Sequence, residues 1–245
     1  NKMIKKIVKK IIYGNKCDSS TYIKYLKSLG MKIGDHTKIY SPRNIIIDEQ
    51  KPWLIEIGSN VQITDGVRIL THGYDWAVLK VKYGVVLGSS GKVKIGNNVF
   101  IGVNSTILKG VTIGDNVIIG ANSLVNKDCI ESGVYAGNPI KFIMTLEEYK
   151  NKRELKQLEE AYELSVEYFK TYNAWPKKEV LREFFYLFED ANKVKINDVF
   201  DEVMNLEGNT IFSYEVLKKI KRKFKNYDEF LNYVQRRYRT DTESN

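Results

Sequence analysis

The hydrophobic positions between residues 95 and 130 recur at a strict spacing of six. These positions are Ile95, Ile101, Ile107, Ile113, Ile119 and Val125. Glycine directly follows four of them, and the fourth residue after each one is small or of modest volume. Neither a helix nor a β-hairpin repeats at six, whereas a chain that turns a corner every six residues and stacks its coils does. The pattern therefore predicts a solenoid with inward-pointing aliphatic side chains, in which glycine allows backbone angles that are costly for other residues.

The same phase extends towards the N-terminus with two interruptions. Its members there are Ile33, Ile39, Ile45, Ile57, Ile63 and Ile69. Lys51 breaks the series inside the polar segment 48–52, which predicts a small bulge. The phase also slips between Ile69 and Ile95, which indicates an insertion at residues 74–92. We expect an ordered loop there, and a loop on a rigid solenoid is where function often lies.

Helical periodicity replaces the six-residue repeat near the N-terminus. In residues 3–13 the aliphatic residues fall on one helical face and four lysines on the other, which predicts a basic amphipathic helix. Its apolar face lies either on an anionic membrane surface or against the rest of the protein. We expect the second arrangement because the segment is short. Residues 22–29 predict a second short helix that ends at Gly30.

The C-terminal third predicts an all-helical module. The predicted helices span 146–172, 177–190, 196–206, 213–224 and 227–238. Thr145 with Glu148, and Asn226 with Glu229, have the spacing of N-terminal helix caps. The aromatic residues lie at helical spacing, so we expect most of them in a core. They include Phe184, Phe185, Tyr186, Phe188, Phe200, Phe212, Phe224 and Phe230.

Composition narrows the class of protein. The two cysteines, Cys17 and Cys129, form neither a disulfide framework nor a zinc motif, so we expect no metal and a reducing compartment. No apolar run approaches the ~18 residues of a membrane span, and the N-terminus lacks a signal-peptide core, so we expect a cytoplasmic protein. The net charge of +9 is either generic or favours an anionic partner, such as a nucleotide cofactor, an acidic glycan, a membrane surface or nucleic acid.

A second basic segment lies in the C-terminal third. Six of the eight residues from Lys218 to Lys225 are lysine or arginine, and Arg236, Arg237 and Arg239 follow. A basic amphipathic helix of this kind either meets an acidic polysaccharide, a lipid-linked sugar or nucleic acid, or is a solvated face. No nucleic-acid-binding module accompanies the charge, so we expect no nucleic-acid partner. Both basic helices remain available for peripheral contact with the inner face of a membrane.

The repeat segment from Val93 to Asp128, followed by YAGNPIK at residues 135–141, resembles the hexapeptide-repeat acyltransferases, most closely the sugar and capsular polysaccharide O-acetyltransferases. The resemblance covers about residues 30–144. It implies a left-handed parallel β-helix of three-sided coils that assembles as a homotrimer. The fold class is then mainly β plus α. Its parts are an N-terminal helical segment (1–30), a β-helix domain (31–144) with the inserted loop 74–92, and a helical C-terminal module (145–245).

His72 is the candidate catalytic residue. It lies in the segment LTHGYDW, where a repeat ends and the insertion begins. Acyl transfer to a hydroxyl needs a base near neutral pH, and imidazole suits that task. In similar O-acetyltransferases the histidine of a TH-x-Y-x-W stretch is the general base, which implies that role for His72; a structural histidine is the alternative. Asp75, Asp65 or a backbone carbonyl would orient its ring. The other histidine, His36, is expected on the surface.

The resemblance also implies the positions that hold the acyl donor, acetyl-CoA. The matching residues are Gly102, Gly120, Ala121, Asn126, Lys127, Asn138, Pro139 and Lys141. Glycine and alanine let a pantetheine chain approach the backbone, and the two lysines attract phosphates; the glycines also serve the corners. Asp65, Asp75 and Trp76 are candidates for binding the acceptor. Phe100 departs from some relatives, which have Trp there, and Phe cannot donate a hydrogen bond.

The resemblance therefore implies an acetyl-CoA-dependent O-acetyltransferase that acts directly on a hydroxyl of a sugar or surface polysaccharide. No serine or cysteine lies in a nucleophile motif, which agrees with direct transfer. Two alternatives remain open. One is an N-acetyltransferase of an amino sugar in the same cleft, and the other is a non-catalytic binding solenoid.

Overall fold

The computed structural model describes residues 2–196 and 198–243, with side chains from residue 8 onward. The chain forms two compact units, Asn1–Tyr149 and Lys150–Asn245. The helices are α1 (Lys2–Tyr13), α2 (Ser19–Ser28), α3 (Trp76–Tyr83), α4 (Leu146–Tyr172), α5 (Val199–Met204), α6 (Thr210–Lys219) and α7 (Tyr227–Glu243). Within the described residues, every helix is too short or too polar to span a bilayer. The predicted domain division at residue 145 stays a prediction.

The first unit contains all the strands of the described chain, and all of them except β7 and β8 wind through three sheets in turn. The strands are β1 (Lys32–Ile33), β2 (Lys38–Ile39), β3 (Ile46–Ile47), β4 (Ile55–Ile57), β5 (Val61–Ile63), β6 (Arg68–Ile69), β7 (His72–Gly73), β8 (Ser89–Ser90), β9 (Val93–Ile95), β10 (Val99–Ile101), β11 (Thr106–Ile107), β12 (Thr112–Ile113), β13 (Val117–Ile119), β14 (Leu124–Val125), β15 (Gly133–Ala136) and β16 (Lys141–Met144). The first sheet has the order β1-β4-β9-β12, the second β16-β15-β13-β10-β5-β2 and the third β14-β11-β6-β3. Because all their pairings except β15–β16 are parallel, each coil has three sides.

The six-residue pattern produces the core of this unit. Ile95 pairs with Ile113 and Ile101 with Ile119, three repeats later in each case. All twelve repeat isoleucines and valines named above are buried, as predicted. The small positions are buried as well, and these are Val99, Ser105, Val111, Val117, Ser123 and Cys129. Stacked coils therefore place like residues on like residues along one continuous core.

The glycines of the repeat have a different role from the one the sequence suggested. Gly96, Gly102, Gly114 and Gly120 do not adopt positive φ. Instead, a Cβ at Gly102 would lie 2.5 Å from the amide nitrogen of Ala121 in the next coil. The left-handed backbone falls two residues later, on Asn98, Asn104, Asn116 and Asn122, with φ between 54° and 59°. Asparagine tolerates this region better than most residues do, so the corner needs glycine for close approach and asparagine for its turn.

The two interruptions of the repeat have distinct structures. In the first coil, Ile47 rather than Ile45 pairs with Ile69, so the third side of that coil is shifted by two residues. The insertion is not only a loop, because it contains α3, which ends at Gly84 with φ 73°. A glycine in this conformation is a common helix C-cap. The antiparallel pair β7–β8 closes the base of the insertion.

The solenoid continues beyond Val125, the last residue of the six-residue series. Cys129 forms a parallel bridge with Ile113, and β15 adds a strand to the second sheet. A turn at residues 137–139 joins β15 to β16, which pair in an antiparallel hairpin. Thr145 and Glu148 form the predicted reciprocal cap of α4, with the Glu148 amide 3.2 Å from Thr145 Oγ1 and the Thr145 amide 2.8 Å from Glu148 Oε2.

The N-terminal helices differ in how they use their apolar residues. Helix α2 buries Tyr22 and Leu26 in the core of the first unit. Helix α1 does not pack as expected, because Val8, Ile11 and Ile12 are 45%, 78% and 63% exposed. The prediction for Met3, Ile4 and Ile7 lies outside the described side chains.

The second unit is helical around an aromatic core. Its buried residues include Phe185, Phe188, Phe200, Phe224 and Phe230, while Phe212 is 57% exposed. The predicted helix 177–190 is wrong, because two short 3-10 turns, Lys178–Leu181 and Phe185–Leu187, replace it.

The predicted helix 213–224 is also wrong at its basic end. It ends at Lys219, and the rest of the basic segment is irregular. The Phe224 amide donates to the Leu187 carbonyl at 3.0 Å, and Arg222 pairs with Asp190 at 3.2 Å. These tertiary contacts replace the helical hydrogen bonds that the local pattern favoured.

Candidate active site

Two strands of the third sheet bring His72 and Asp48 together. Asp48 directly follows β3, and His72 lies just beyond β6. Because β3 and β6 are parallel and neighbouring, both side chains leave the sheet at the same corner of the solenoid. The Asp48 amide donates to the Ile69 carbonyl at 3.0 Å, which holds the two chain segments in register there. His72 Nδ1 then lies 2.5 Å from Asp48 Oδ2.

The Asp48 carboxylate is buried and fully engaged by donors. Its Oδ2 accepts from the hydroxyl of Thr71 and from the Thr71 amide, the latter at 3.3 Å. Its Oδ1 accepts from the Gln50 amide at 3.0 Å. Burial raises the pKa of the Asp48 carboxyl, but the hydrogen bonds from Thr71, His72 and Gln50 outweigh burial and hold the pKa below its ordinary value. Asp48 is therefore an anion that can only accept.

This anion defines the state of the histidine ring. Since Asp48 accepts, Nδ1 of His72 must carry the proton, and a neutral ring then keeps its lone pair on Nε2. The His72 side chain is 15% exposed, and no described residue bonds to Nε2. The Tyr74 ring packs edge-on against the imidazole, with ring centres 5.4 Å apart. The arrangement can take a proton from a hydroxyl at Nε2 and stabilise the resulting imidazolium.

Asp48, the carboxylate that bonds to His72, is not among the alternatives that the sequence left open, which were Asp65, Asp75 and a backbone carbonyl. Asp65 lies at a different corner, between the second and third sheets, and accepts from Asn44 Nδ2 at 3.0 Å. Asp75 is exposed at the start of α3 and does not bond to His72. The sequence did carry a signal for Asp48, because Asp48 begins the polar segment 48–52, where the six-residue phase is interrupted. The two-residue shift of the first coil places it opposite the segment that leads to His72.

The insertion covers this corner from one side. Lys51 Nζ donates to Ser90 Oγ at 2.5 Å, and the Gly91 amide donates to the Thr71 carbonyl at 2.9 Å. Trp76, a candidate acceptor residue, is partly buried in the first turn of α3, and its ring centre lies 6.1 Å from that of Tyr74. The base of the insertion is therefore tied to the same residues that carry the Asp48–His72 pair.

The candidate acetyl-CoA residues fall on two corners that flank the third sheet. Gly102, Gly120 and Ala121 lie on the corner between the second and third sheets. The turn that holds Asn138 and Pro139 stacks on the same corner, where the Leu124 amide donates to the Gly137 carbonyl at 3.0 Å.

Asn126 and Lys127 follow β14 and are exposed on the second of these corners, to which His72 also belongs. Lys141 is exposed at the start of β16, and Phe100 is 42% exposed on the second sheet, away from the His72 corner. His36 is exposed, as expected, with φ 57° at a corner.

Comparison with known proteins agrees with this architecture. Residues 92–127 match the family described as bacterial transferase hexapeptide (six repeats). The chain is 43% identical over 127 residues to Protein CapG of Staphylococcus aureus. The aligned region covers 52% of this chain and 73% of that protein. It is 37% identical over 128 residues to "Putative acetyltransferase YvoF" of Bacillus subtilis (strain 168). That aligned region covers 52% of this chain and 68% of that protein.

Two solved structures are also similar to part of this chain. A hexapeptide-repeat-containing acetyltransferase of Vibrio cholerae O1 biovar eltor, complexed with acetyl-CoA, is 30% identical over 47% of this chain, with a TM-score of 0.40, and the chain spans 60% of that structure. A maltose O-acetyltransferase of Clostridium difficile 630 is 31% identical over 51% of this chain, with a TM-score of 0.37. The chain belongs to the hexapeptide-repeat transferase family. It is a transferase by that membership.

Proposed function

We propose that this protein is an acetyl-CoA-dependent O-acetyltransferase that modifies a hydroxyl of a sugar or surface polysaccharide, with His72 as the general base. The observation that carries the proposal is the Asp48–His72 pair at the base of the insertion, with its 2.5 Å hydrogen bond and with an Nε2 to which no described residue bonds. The similarity to a hexapeptide-repeat relative whose name includes an acetyltransferase activity supports the reaction class. The sugar acceptor rests on the TH-x-Y-x-W and YAGNPIK segments.

The reaction needs a base that accepts the proton of the acceptor hydroxyl, and an anion that balances the positive charge of the protonated base. His72 Nε2 takes the proton of the acceptor hydroxyl as its oxygen attacks, and the same nitrogen returns that proton to the leaving thiolate. Asp48 holds the ring in the tautomer with a free Nε2 and stabilises the imidazolium that forms. A bound acetyl thioester supplies the acyl group. A base positioned in this way contributes typically about 10²–10⁴ in rate.

The residues proposed for the donor fit an extended pantetheine chain. Ala121, Asn138 and Pro139 are exposed on a corner whose neighbours include glycine, so backbone groups lie near the surface there. Lys127 and Lys141 are exposed and carry the positive charge that nucleotide phosphates require. Gly102 and Gly120 are needed for coil stacking in any case, and they add a surface without side chains. Asp65, Asp75 and Trp76 stay candidates for the acceptor.

The assembly and setting belong to the same proposal. We expect left-handed coils, a homotrimer and action in the cytoplasm, because the repeat resembles proteins with those properties. Light scattering tests the assembly, and the expected mass is three times the chain mass of 28.4 kDa.

The deciding experiment compares wild type with His72→Ala in acetyl transfer from acetyl-CoA to a panel of sugars and amino sugars. We expect wild type to acetylate a sugar hydroxyl, and the variant to lose about 10²–10⁴ in kcat while still binding acetyl-CoA. His36→Ala is the matched control and should keep full activity. Transfer only to an amino group would show an N-acetyltransferase. If wild type binds a glycan but transfers nothing, the protein is a binding solenoid.

A further inference from the structure

Helix α1 presents an apolar face that no part of the described chain covers. Every described side chain of this helix, from Val8 to Tyr13, is exposed, and Ile11 is 78% exposed. The neighbouring helix α2 is a useful contrast, because it buries two large side chains in the core of the same unit. At the C-terminal end of α1, the Arg43 guanidinium lies 4.3 Å from the centre of the Tyr13 ring. Over its described side chains, from Val8 to Tyr13, the helix is therefore attached at Tyr13 and exposed along its face.

The charges of α1 are all of one sign. The helix sequence KMIKKIVKKIIY has five lysines and no acidic residue. At a helical spacing, its aliphatic residues fill one half of the circumference and Lys5, Lys6, Lys9 and Lys10 fill the other. This separation of a wide apolar face from a lysine-rich face is typical of helices that lie in the plane of a membrane surface.

The sign of the charge identifies the occupant of the face. A second copy of this chain also carries a net charge of +9, so a surface with five lysines is repelled by it on average. An anionic lipid surface attracts the lysines and takes the exposed isoleucines into its outer hydrocarbon layer. We propose that α1 docks the protein on the surface of an anionic lipid bilayer, with Val8, Ile11 and Ile12 inserted and the lysines at the headgroups.

Co-sedimentation of the full chain with lipid vesicles tests this proposal independently of any enzymatic activity. The vesicles contain either phosphatidylcholine alone or phosphatidylcholine with 30 mol% phosphatidylglycerol, a composition chosen only as a probe. We expect binding to the anionic vesicles, weak binding to the neutral ones, and loss of binding in 0.5 M salt because of charge screening. Ile11→Ser with Ile12→Ser should weaken binding at least tenfold. Lys9→Gln with Lys10→Gln should weaken it about fivefold per lysine.

Two matched controls separate α1 from the general properties of the chain. Lys218→Gln with Lys219→Gln removes the same charge from α6, and Val78→Ser with Val81→Ser removes exposed aliphatic side chains from α3. Both should bind vesicles like wild type. Equal losses in the controls, or unchanged binding of the α1 variants, would overturn the proposal. So would a fall in oligomer mass for the Ile11 and Ile12 variant without vesicles, because a second copy of the chain would then be the occupant.

Discussion

At the scale of single residues, the Asp48 carboxylate controls the chemistry of the candidate active site. It is buried, it accepts from two residues besides His72, and its low pKa keeps it ionised at neutral pH. A neutral amide at this position could donate to Nδ1 and leave the proton of the imidazole on Nε2, which is the wrong tautomer for a base. The proposed role of His72 as a base therefore depends on a residue in another coil.

Asp48→Asn should reduce kcat by about 10²–10⁴ with a small change in KM for the acceptor, because the substitution changes the tautomer and not the binding surface. Steady-state kinetics at fixed acetyl-CoA would measure this. Asp35→Asn, at an exposed corner, is the control and should have wild-type rates. A fully active Asp48→Asn enzyme would mean that the carboxylate does not orient the base.

The same carboxylate should make stability depend on pH. A carboxyl whose pKa is lower in the folded state stabilises the protein above its unfolded pKa of about 3.9, and this stabilisation is lost as the pH falls through the folded pKa. The difference in unfolding free energy between wild type and Asp48→Asn should thus be larger at pH 7 than at pH 3. Urea unfolding at both pH values measures it. An unchanged difference would contradict the lowered pKa of Asp48.

At the scale of the elements, the corner of each coil combines two requirements. The glycine after each inward aliphatic residue lets the next coil approach, and the asparagine two residues later adopts the left-handed backbone that turns the chain. Both the glycine and the asparagine are consequences of a short repeat, because a side of only six residues leaves no room for a longer or bulkier corner.

Gly102→Ala tests the first requirement. The new Cβ would lie 2.5 Å from the Ala121 amide nitrogen, which is backbone and cannot rotate away, so we expect a loss of about 1–3 kcal/mol. Gly88→Ala, where no atom lies within 4 Å, should be close to neutral. Denaturant unfolding of both variants gives the comparison. Equal stability of the two would show that the coils can separate to admit a side chain.

Elements outside the repeat were less predictable from local pattern. The boundaries of α4 agree with the prediction because the sequence marks both ends. A reciprocal cap at Thr145 and Glu148 begins the helix, and Trp175 and Pro176 follow its last residue, Tyr172. The segments around residues 177–190 and 220–224 lack such local marks. Their backbone groups bond to distant segments, as the Phe224–Leu187 hydrogen bond shows, and so propensity alone did not decide their conformation.

At the scale of the whole molecule, the two units have separate cores. Among the described residues, a continuous cluster of buried hydrophobic side chains from Tyr22 to Ile140 forms the core of the first unit, and an aromatic cluster forms the core of the helical unit. Because the proposed donor and base residues all belong to the first unit, the effect of acetyl-CoA on stability should be confined to that unit.

Saturating acetyl-CoA should therefore stabilise the protein, by about 2.7 kcal/mol at a concentration 100 times its Kd. Calorimetry with and without the ligand measures the shift, and ATP is the control for phosphate charge alone. We expect a shift of the solenoid transition with acetyl-CoA only. An equal shift with ATP would indicate a general anion site, and the absence of a shift at millimolar acetyl-CoA would count against the proposed transferase reaction.

The sequence alone was sufficient for the solenoid, its inward residues and the position of His72 at the insertion. These features follow from a local rule, since each six-residue side places its aliphatic residue inward whatever the rest of the chain does. The partner of His72 is not a local property. A shift of two residues between β3 and β6 decides whether Asp48 or Ile46 lies opposite the segment that leads to His72. That register depends on how one coil stacks on the next, and so only the tertiary structure could select Asp48 over Asp65 and Asp75.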